Sequence, residues 1–359
     1  MPDLPSIKDI RFTPVLVPYD RPMRTASGTM SGAAMGIVDV VTSSGITGSA
    51  YVFAYTPRML RSLGMLCDDI KDIAIGRKIA PRDRFRDFEN AFRLLGAQGL
   101  MTIVLAGIDM ALWDALGRHF NCPVCELLEV DPKPIRAYDS YGMVDPAVDG
   151  ERLERSLKRG FTGIKIKLGG GSLDDDISAC RFVRRVIGDD VSLMIDYNQS
   201  LTLDAALDRL SALEDFDIYW VEEPVQAEDL AGHRTVRDNA RIKVQTGENW
   251  WLPASAENAL AAGASDYIMP DVMKIGGISG WMSVAKLAAD RDIPVSSHAF
   301  IEASAHVMAA TPTAHWLEYL DKARPLLDEG LDVEDGMVTA RGPGLGMEWN
   351  RAKIEEFQF

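Results

Sequence analysis

The sequence is poor in cysteine and has neither a long apolar run nor an excess of basic residues. Its 359 residues include 4 cysteines, which are too few for a disulfide framework. No run of about 18 apolar residues predicts a membrane span, and the first five residues lack the basic and apolar segments of a secretion signal. The formal charge of -15, from 38 basic and 53 acidic residues, disfavours nucleic acid and anionic membranes as partners. We therefore expect a cytoplasmic protein.

The composition favours a large folded protein. Hydrophobic residues make up 47% of the chain and charged residues 25%, which excludes a disordered protein. At this length, two domains or one barrel with an appendage are expected. Cys122 and Cys125 have the spacing of a redox or zinc motif, but no second pair occurs, so we interpret them as structural.

The stretch from Gly163 to Gly169 is predicted to be a β-strand that ends in a glycine loop. Apolar and basic residues alternate in it, so Lys165 and Lys167 project from one face of the strand. Taken alone, this pattern is typical of an edge strand whose lysines lie in water. The rest of the chain favours an interior space for both ammonium groups, because strand-like runs ending in acidic residues or histidine follow at near-regular intervals.

Residues 1–130 are predicted to form an α+β domain. Two β-rich runs, 7–17 and 36–55, precede a segment with helical periodicity from Pro57 to about Gly117. The loop near 20–32 is rich in small residues, and it suits a surface hairpin and a lid over an active site equally well. A lid here would make this a capping domain.

From Pro134 onward, strands alternate with amphipathic helices, which indicates parallel strands in βα units. Eight such units close a (β/α)8 barrel. The fold class is therefore predicted to be α/β: a modified TIM barrel over residues 131–322, with an N-terminal α+β capping domain completed by residues 323–359. The strand candidates are residues 136–141, 163–168, 192–198, 218–223, 243–248, 267–273, 294–298 and 315–320.

Polar residues occur at the end of every predicted strand. The carboxyl ends of barrel strands converge on one mouth, where active sites lie. Successive spacings run from 20 residues (298 to 318) to 31 residues (165 to 196), each compatible with one βα unit. A single acidic residue after a strand is commonly a helix N-cap, but a series in phase favours a site. The residues are Ser140, Lys165, Lys167, Asp196, Asn198, Glu222, Glu248, Asp271, His298 and Glu318.

Three consecutive strands contribute the carboxylates of Asp196, Glu222 and Glu248. Their mutual repulsion would be severe without a cation between them. Oxygen ligands with room for water suit Mg²⁺ and do not suit a thiol-binding metal. The sequence therefore predicts a Mg²⁺ site at the mouth of the barrel.

Two candidate bases flank this site. Lys167 comes from the second strand, and His298 comes from the seventh, with Asp271 beside it to fix its tautomer. A divalent ion between two bases predicts proton abstraction next to the carboxylate of a small-molecule substrate, through an enediolate.

At these residues the sequence resembles the enolase superfamily, specifically the mandelate racemase branch. The resemblance covers essentially the whole chain, and it implies the fold described above, Mg²⁺ as cofactor and a homo-oligomer, commonly an octamer among relatives. The motifs that carry it include Lys165-Ile166-Lys167, Asp196-Tyr197-Asn198, Glu222-Glu223-Pro224, Gly247-Glu248-Asn249, Met269-Pro270-Asp271, Ser297-His298 and Trp316-Leu317-Glu318.

The resemblance also implies a role for each motif residue. Lys165 and Mg²⁺ are expected to lower the pKa of the neighbouring Lys167, so that a neutral amine is available near pH 7. The implied roles are Mg²⁺ ligation for Asp196, Glu222 and Glu248, base catalysis for Lys167 and the His298–Asp271 pair, carboxylate binding for Lys165, Glu318 and Ser140, and hydroxyl binding for Asn198.

The predicted substrate pocket departs from the family pattern. Its loop carries Arg24, Ser27 and Met30 where the mandelate racemase lid is mainly apolar, while Phe53 and Tyr55 retain an aromatic wall. We expect Arg24 and Tyr55 to contact the substrate, with Arg24 pairing with a polar group.

Three functions are compatible with this pattern. The first is a Mg²⁺-dependent racemase of a mandelate-like 2-hydroxy carboxylate. The second is an acid-sugar dehydratase that uses the same metal site and His–Asp pair. The third is a catalytically silent barrel that serves as a binding module, and the intact set of ligands and bases argues against it.

Overall fold

The computed structural model describes residues 4–359 and contains a three-stranded antiparallel sheet and a ring of mainly parallel strands. Residues 1–3 of the predicted capping domain lie outside the described residues. Strands β1 (Ile7–Thr25), β2 (Gly28–Thr42) and β3 (Thr47–Phe53) pair in sequence order. Nearly every residue of β3 and of the second half of β2 is buried, because helices cover this sheet.

The segment near 20–32, for which the sequence left a surface hairpin and a lid equally open, is the tip of the β1–β2 hairpin. Met23 pairs with Met30 and Thr25 with Gly28, so the strands continue to a two-residue turn. The Ser27 N–H donates to Thr25 Oγ1 at 3.1 Å, and Thr25 Oγ1 donates to the Gly28 carbonyl at 3.2 Å. Side-chain bonds of this kind hold tight turns.

Four helices complete the first domain. The longest, α3, would pass for a membrane span by length and composition, but 89% of its most apolar window is buried in the fold. The close approach of β3 to α3 requires Gly48, because a Cβ there would lie 2.2 Å from the Ala111 carbonyl oxygen. The helices are α1 (Pro57–Ala74), α2 (Pro81–Ala91), α3 (Leu100–Phe120) and α4 (Val124–Leu127).

The second part of the chain is a ring of short parallel strands with helices outside, as predicted. The strands are β4 (Ile135–Ser140), β5 (Gly163–Lys167), β6 (Ser192–Asp196), β7 (Ile218–Glu222), β8 (Val244–Thr246), β9 (Tyr267–Ile268) and β10 (Leu317–Tyr319). The helices are α5 (Gly150–Lys158), α6 (Leu173–Ile187), α7 (Leu203–Ala212), α8 (Leu230–Asn239), α9 (Leu252–Ala262), α10 (Gly277–Ala289) and α11 (Ile301–Ala309).

The seventh predicted strand, 294–298, is not a regular strand. It makes single bridges from Val295 to Ile268 and to Ala314, and one from His298 to Asp271. Pro294 has no N–H to donate to a ladder, which shortens the regular pairing. The segment nevertheless closes the ring, because it is bonded on both sides and β10 pairs with β4.

Aromatic side chains fill the interior of the ring below its mouth. Tyr138, Trp220 and Trp316 are fully buried. Tyr138 packs edge to face on both tryptophans, and Met194 belongs to the same cluster. The Lys165 ammonium nitrogen lies 5.3 Å from the centroid of the Tyr138 ring, directly at this layer. The layer is therefore a rigid support beneath the polar residues at the strand ends.

The C-terminal segment returns to the first domain. Strand β11 (Met337–Val338) pairs antiparallel with β4, and helix α12 (Arg351–Glu356) precedes the last residues. The Leu16 N–H donates to the Phe357 carbonyl at 2.8 Å, and the Phe359 N–H donates to the Pro14 carbonyl at 3.0 Å. The chain end thus extends the edge of β1.

Candidate active site

Three acidic residues meet at the carboxyl ends of adjacent strands. Asp196 ends β6, Glu222 ends β7, and Glu248 follows β8 by two residues. The parallel register places Asp196 opposite Glu222. One carboxylate oxygen of each of the three residues lies within 4.8 Å of the others, and all three side chains are buried.

This carboxylate cluster fits a hard divalent cation. Within the described part of the chain, Glu222 Oε1 and Glu248 Oε2 are buried and have no hydrogen-bond partner. Burial, followed by the Asp196 carboxylate, raises the pKa of Glu222 well above its usual value. An all-oxygen set with unpaired oxygens is the donor chemistry that Mg²⁺ prefers.

Lys165 and Lys167 enter the same space from β5, as the alternation of that strand predicts. Lys165 is fully buried, and its ammonium lies 2.7 Å from Glu222 Oε2 and 2.8 Å from Glu318 Oε1. Burial lowers the pKa of Lys165, but these two carboxylates outweigh burial and raise it well above its usual value. Lys165 is therefore a fixed positive charge.

The protein's own groups do not lower the pKa of Lys167, and the expected lowering by Lys165 together with Mg²⁺ stays a prediction for the metal-bound enzyme. The Lys167 ammonium contacts Asp196 Oδ2. Burial and Lys165 lower the pKa of Lys167, but Asp196, Glu248 and Glu222 together outweigh them and raise it. The expectation counted Lys165 and Mg²⁺ but not the three carboxylates, which have the larger combined effect in the absence of the ion.

His298 and Asp271 form the predicted pair. His298 Nδ1 lies 2.6 Å from Asp271 Oδ2. Asp271 Oδ1 accepts backbone N–H bonds from Met273 at 2.7 Å and Lys274 at 3.1 Å. A carboxylate held in this way makes Nδ1 the protonated nitrogen and leaves Nε2 to act as the base. That Nε2 lies 3.2 Å from Glu248 Oε2.

Glu318 closes the site on the side of β10. Besides Lys165, it accepts the Ala299 N–H at 2.8 Å, and its Oε2 lies 3.8 Å from His298 Nε2. Burial raises the pKa of Glu318, yet Lys165, His298 and a hydrogen bond from Ser140 lower it to about 2. Ser140 thus hydrogen-bonds to Glu318, and its predicted place at the substrate carboxylate stays a prediction.

These groups open into a cavity of about 430 Å³ beneath the hairpin tip. Tyr55 and Asn198 line it, as predicted. Asn198 Nδ2 donates to Asp196 Oδ2 at 2.9 Å, while its Oδ1 is buried without a partner among the described residues. Both residues have left-handed backbones, with φ of 58° and 45°, a strain that is common at functional sites.

Arg24 does not line this cavity, and its predicted contact with the substrate stays a prediction. Its side chain is exposed and borders a second cavity next to the first. The reason is the strand geometry of the hairpin: Met23 and Thr25 face the site cavity, so the residue between them faces the other way.

Two lysines of the cavity were missed by the sequence analysis. The ammonium of Lys274 contacts Asn249 Oδ1 and lies 4.9 Å from the centroid of the Tyr55 ring. That of Lys322 lies 4.1 Å from the centroid of the Phe53 ring. Neither residue ends a strand, so the strand-end pattern could not identify these two lysines. The position of Lys322, four residues beyond Glu318, was a sequence signal that Lys322 lies near the mouth of the barrel.

The other histidines and the cysteines lie outside this cavity. His119, His233, His306 and His315 do not line the site cavity. His306 is buried and accepts the Cys125 N–H through Nδ1 at 3.2 Å, while burial lowers the pKa of His306 to about 4. Ser172 caps α6 in a capping box, and the four cysteines are free.

Comparison with known proteins agrees with this fold and site. Residues 7–129 match the N-terminal domain of the mandelate racemase / muconate lactonizing enzyme family, and residues 149–353 match the enolase C-terminal domain-like model. The fold and site define an enzyme of the enolase superfamily whose cofactor is Mg²⁺. Within that superfamily, the chain belongs to the mandelate racemase subgroup.

Individual relatives differ in their reactions. The crystal structure of an enolase from Bradyrhizobium complexed with magnesium and mandelic acid is 45% identical, covers 100% of both chains and has a TM-score of 0.97. D-galactarolactone cycloisomerase from Agrobacterium fabrum is 34% identical over 75% of this chain and 77% of its own length. L-talarate/galactarate dehydratase from Salmonella typhimurium is 31% identical, and the match covers 68% of this chain and 62% of the dehydratase.

Proposed function

We propose that this enzyme racemises a 2-hydroxy carboxylate by a two-base mechanism. The observation that carries the proposal is the placement of Lys167 and His298 on the same cavity from distant positions in the ring. Strands β6 to β9 on one side of the ring, and β4 and β10 on the other, separate β5, which bears Lys167, from the segment that bears His298. A substrate α-carbon between them would present one face to each base.

The surrounding residues would hold the reacting group. Mg²⁺, when bound by Asp196, Glu222 and Glu248, supplies positive charge for the enediolate that forms on proton removal. Lys165 would contact one oxygen of the substrate carboxylate, and Glu318 would hydrogen-bond to that group as its charge grows.

Proton transfer would then depend on the orientation of each base. Asp271 keeps His298 Nε2 free of a proton and stabilises the imidazolium after transfer. Asn198 Oδ1, which lacks a partner within residues 4–359, would accept the substrate α-hydroxyl proton as a hydrogen bond.

The wall of the cavity supports an aromatic substrate group. Phe53 and Tyr55 pack edge to face with ring centroids 4.8 Å apart, and Met23, Met30 and Leu320 complete an apolar surface. The Bradyrhizobium relative was crystallised with mandelic acid, an aromatic 2-hydroxy acid.

A second candidate is dehydration of an acid sugar through the same enediolate. The polar side chains of Gln199, Asn249 and Lys274 on the cavity wall favour it, because they could bond to substrate hydroxyls. In that reaction His298 would protonate a departing β-hydroxyl.

Incubation of the Mg²⁺-loaded enzyme in D₂O with mandelate, lactate, galactarate and gluconate separates the two reactions. Racemisation predicts loss of the α-proton NMR signal, and of optical rotation for a single enantiomer of mandelate or lactate, without a keto acid. Appearance of a keto acid would favour dehydration, and an enzyme that exchanges no α-proton in any of these acids would contradict both.

A further inference from the structure

The wall of the active-site cavity contains a half-buried cation, Lys322, for which the proposed reaction has no use. Its ammonium lies against the Phe53 ring at 4.1 Å from the ring centroid. In the described range 4–359, Lys322 forms neither a hydrogen bond nor an ion pair. Burial lowers the pKa of Lys322, and the more distant carboxylates of Glu318, Asp271 and Glu248 do not offset the effect of burial.

The other lysines of the site differ from Lys322 in this respect. Each of them already has a polar protein partner, so its charge is satisfied before a substrate binds. A cation that is removed from water without such a partner is costly, and an anionic ligand would recover that free energy. The existing pairs are Lys165 with Glu222 and Glu318, Lys167 with Asp196, and Lys274 with Asn249.

Lys322 also lines a second cavity, of about 540 Å³. This cavity shares Met23, Leu320 and Lys322 with the site cavity, so the two are neighbours across these side chains. With Lys322 it has five basic residues against three acidic ones, although the whole chain carries a charge of -15. The four arginines are Arg21, Arg24, Arg152 and Arg155.

We propose that Lys322 and the arginine-lined cavity beyond it form a subsite for a second carboxylate at the far end of the substrate. The first carboxylate lies at Lys165, the α-carbon lies between the bases, and the chain or ring of the substrate passes Phe53 toward Lys322. Lys322 is thus a specificity residue and takes no part in proton transfer. This inference rests on the proposed reaction, and it narrows the substrates to hydroxy dicarboxylates.

Matched substrates test the subsite. We expect wild-type enzyme to exchange the α-proton of 4-carboxymandelate with kcat/KM about tenfold or more above that of 4-methylmandelate, since the latter cannot form the ion pair with the half-buried Lys322. In Lys322→Met this ratio should fall at least about tenfold, and Lys322→Arg should restore most of it. Lys286→Met, at an exposed lysine paired with Asp290, is the control and should keep the wild-type ratio.

Galactarate against gluconate provides a second pair, in which the far carboxylate is carried by a hydroxylated chain. A fall of the ratio in Lys322→Met for either pair supports the subsite and identifies the spacer that it accepts. The proposed subsite would be overturned if the wild-type ratio of kcat/KM is near one in both pairs of acids. It would also be overturned if Lys322→Met leaves that ratio unchanged in both pairs.

Binding of unreactive acids tests the subsite separately from the reaction. By calorimetry with Mg²⁺ present, terephthalate should bind wild-type enzyme more tightly than benzoate, and Lys322→Met should remove about tenfold or more of that difference. Equal affinity of wild-type enzyme for the two acids would contradict the subsite. If the terephthalate preference depends on Lys322 but no hydroxy acid exchanges its α-proton, the subsite stands and the proposed reaction fails.

Discussion

The floor and the wall of the active-site cavity are stabilised in different ways. On the floor, the charged residues of β5, β6 and β7 are buried and pair with one another, as Lys165 does with Glu222. The wall is built by the β1–β2 hairpin, β3 and the segment after β10, and it contains Lys322 without a partner in the described chain. Mutual pairing fixes the floor before substrate arrives, which is the arrangement that catalysis requires.

The wall, in contrast, is assembled from two parts of the molecule. Met23 and Met30 come from the hairpin tip, whereas Leu320 follows a barrel strand. Changes on the wall can therefore alter the accepted substrate without disturbing the charges that act on the carboxylate. We expect variants of the floor to abolish turnover and variants of the wall to shift specificity.

The largest effect is expected at the carboxylate cluster. Glu222→Gln should lower the rate of α-proton exchange about a thousandfold or more, because it weakens Mg²⁺ binding and the positive field at the substrate. Saturating Mg²⁺ at about 100 times its Kd should stabilise wild-type enzyme by about 2.7 kcal/mol, and the variant should lose this rise in Tm. Glu257→Gln, an exposed residue of α9, is the control. A variant that keeps both the Mg²⁺-dependent Tm shift and full activity would contradict this assignment.

A smaller effect is expected at the residue that orients His298. Asp271→Asn should slow proton exchange for the enantiomer that His298 serves by about a hundredfold, because the tautomer is no longer fixed. Exchange of the other enantiomer through Lys167 should slow much less. NMR of each enantiomer in D₂O measures both rates, with Asp290→Asn on the surface as the control. Equal loss for both enantiomers would mean that Asp271 acts on the whole site and not through His298.

The smallest effect is expected on the wall. Met30→Ala should change the ratio of kcat/KM between bulky aryl and small alkyl hydroxy acids by about tenfold, because it removes apolar surface from the pocket. The matched control is Met65→Ala on α1, where the methionine is 61% exposed. If the ratio of kcat/KM stays constant while kcat falls for all acids, Met30 supports turnover and does not set the substrate preference.

The fold and the floor of the site could be predicted because they depend on short-range periodicity. A strand places Lys165 and Lys167 on one face, and each βα unit returns the next strand end to the same mouth. Asp196, Glu222 and Glu248 therefore met as expected. The resemblance to a known family added the roles of these residues, which periodicity alone could not supply.

The wall could not be predicted because it depends on tertiary contacts. The orientation of Arg24 follows from the pairing of Met23 with Met30, which a loop prediction does not include. The raised pKa of Lys167 follows from the sum of burial and four neighbouring charges, and the sequence does not give their distances. Lys322 lies beyond a strand end, at a position set by the turn after β10.

The central claim is that Lys167 and His298 each serve one face of the substrate. The most direct measurement is α-proton exchange of each mandelate enantiomer in D₂O by Lys167→Met and His298→Asn. Each variant should lose racemisation, and each should still exchange the proton of one enantiomer, the opposite one in the two variants. Racemisation that survives in both variants, or exchange of the same enantiomer by both, would contradict the two-base account.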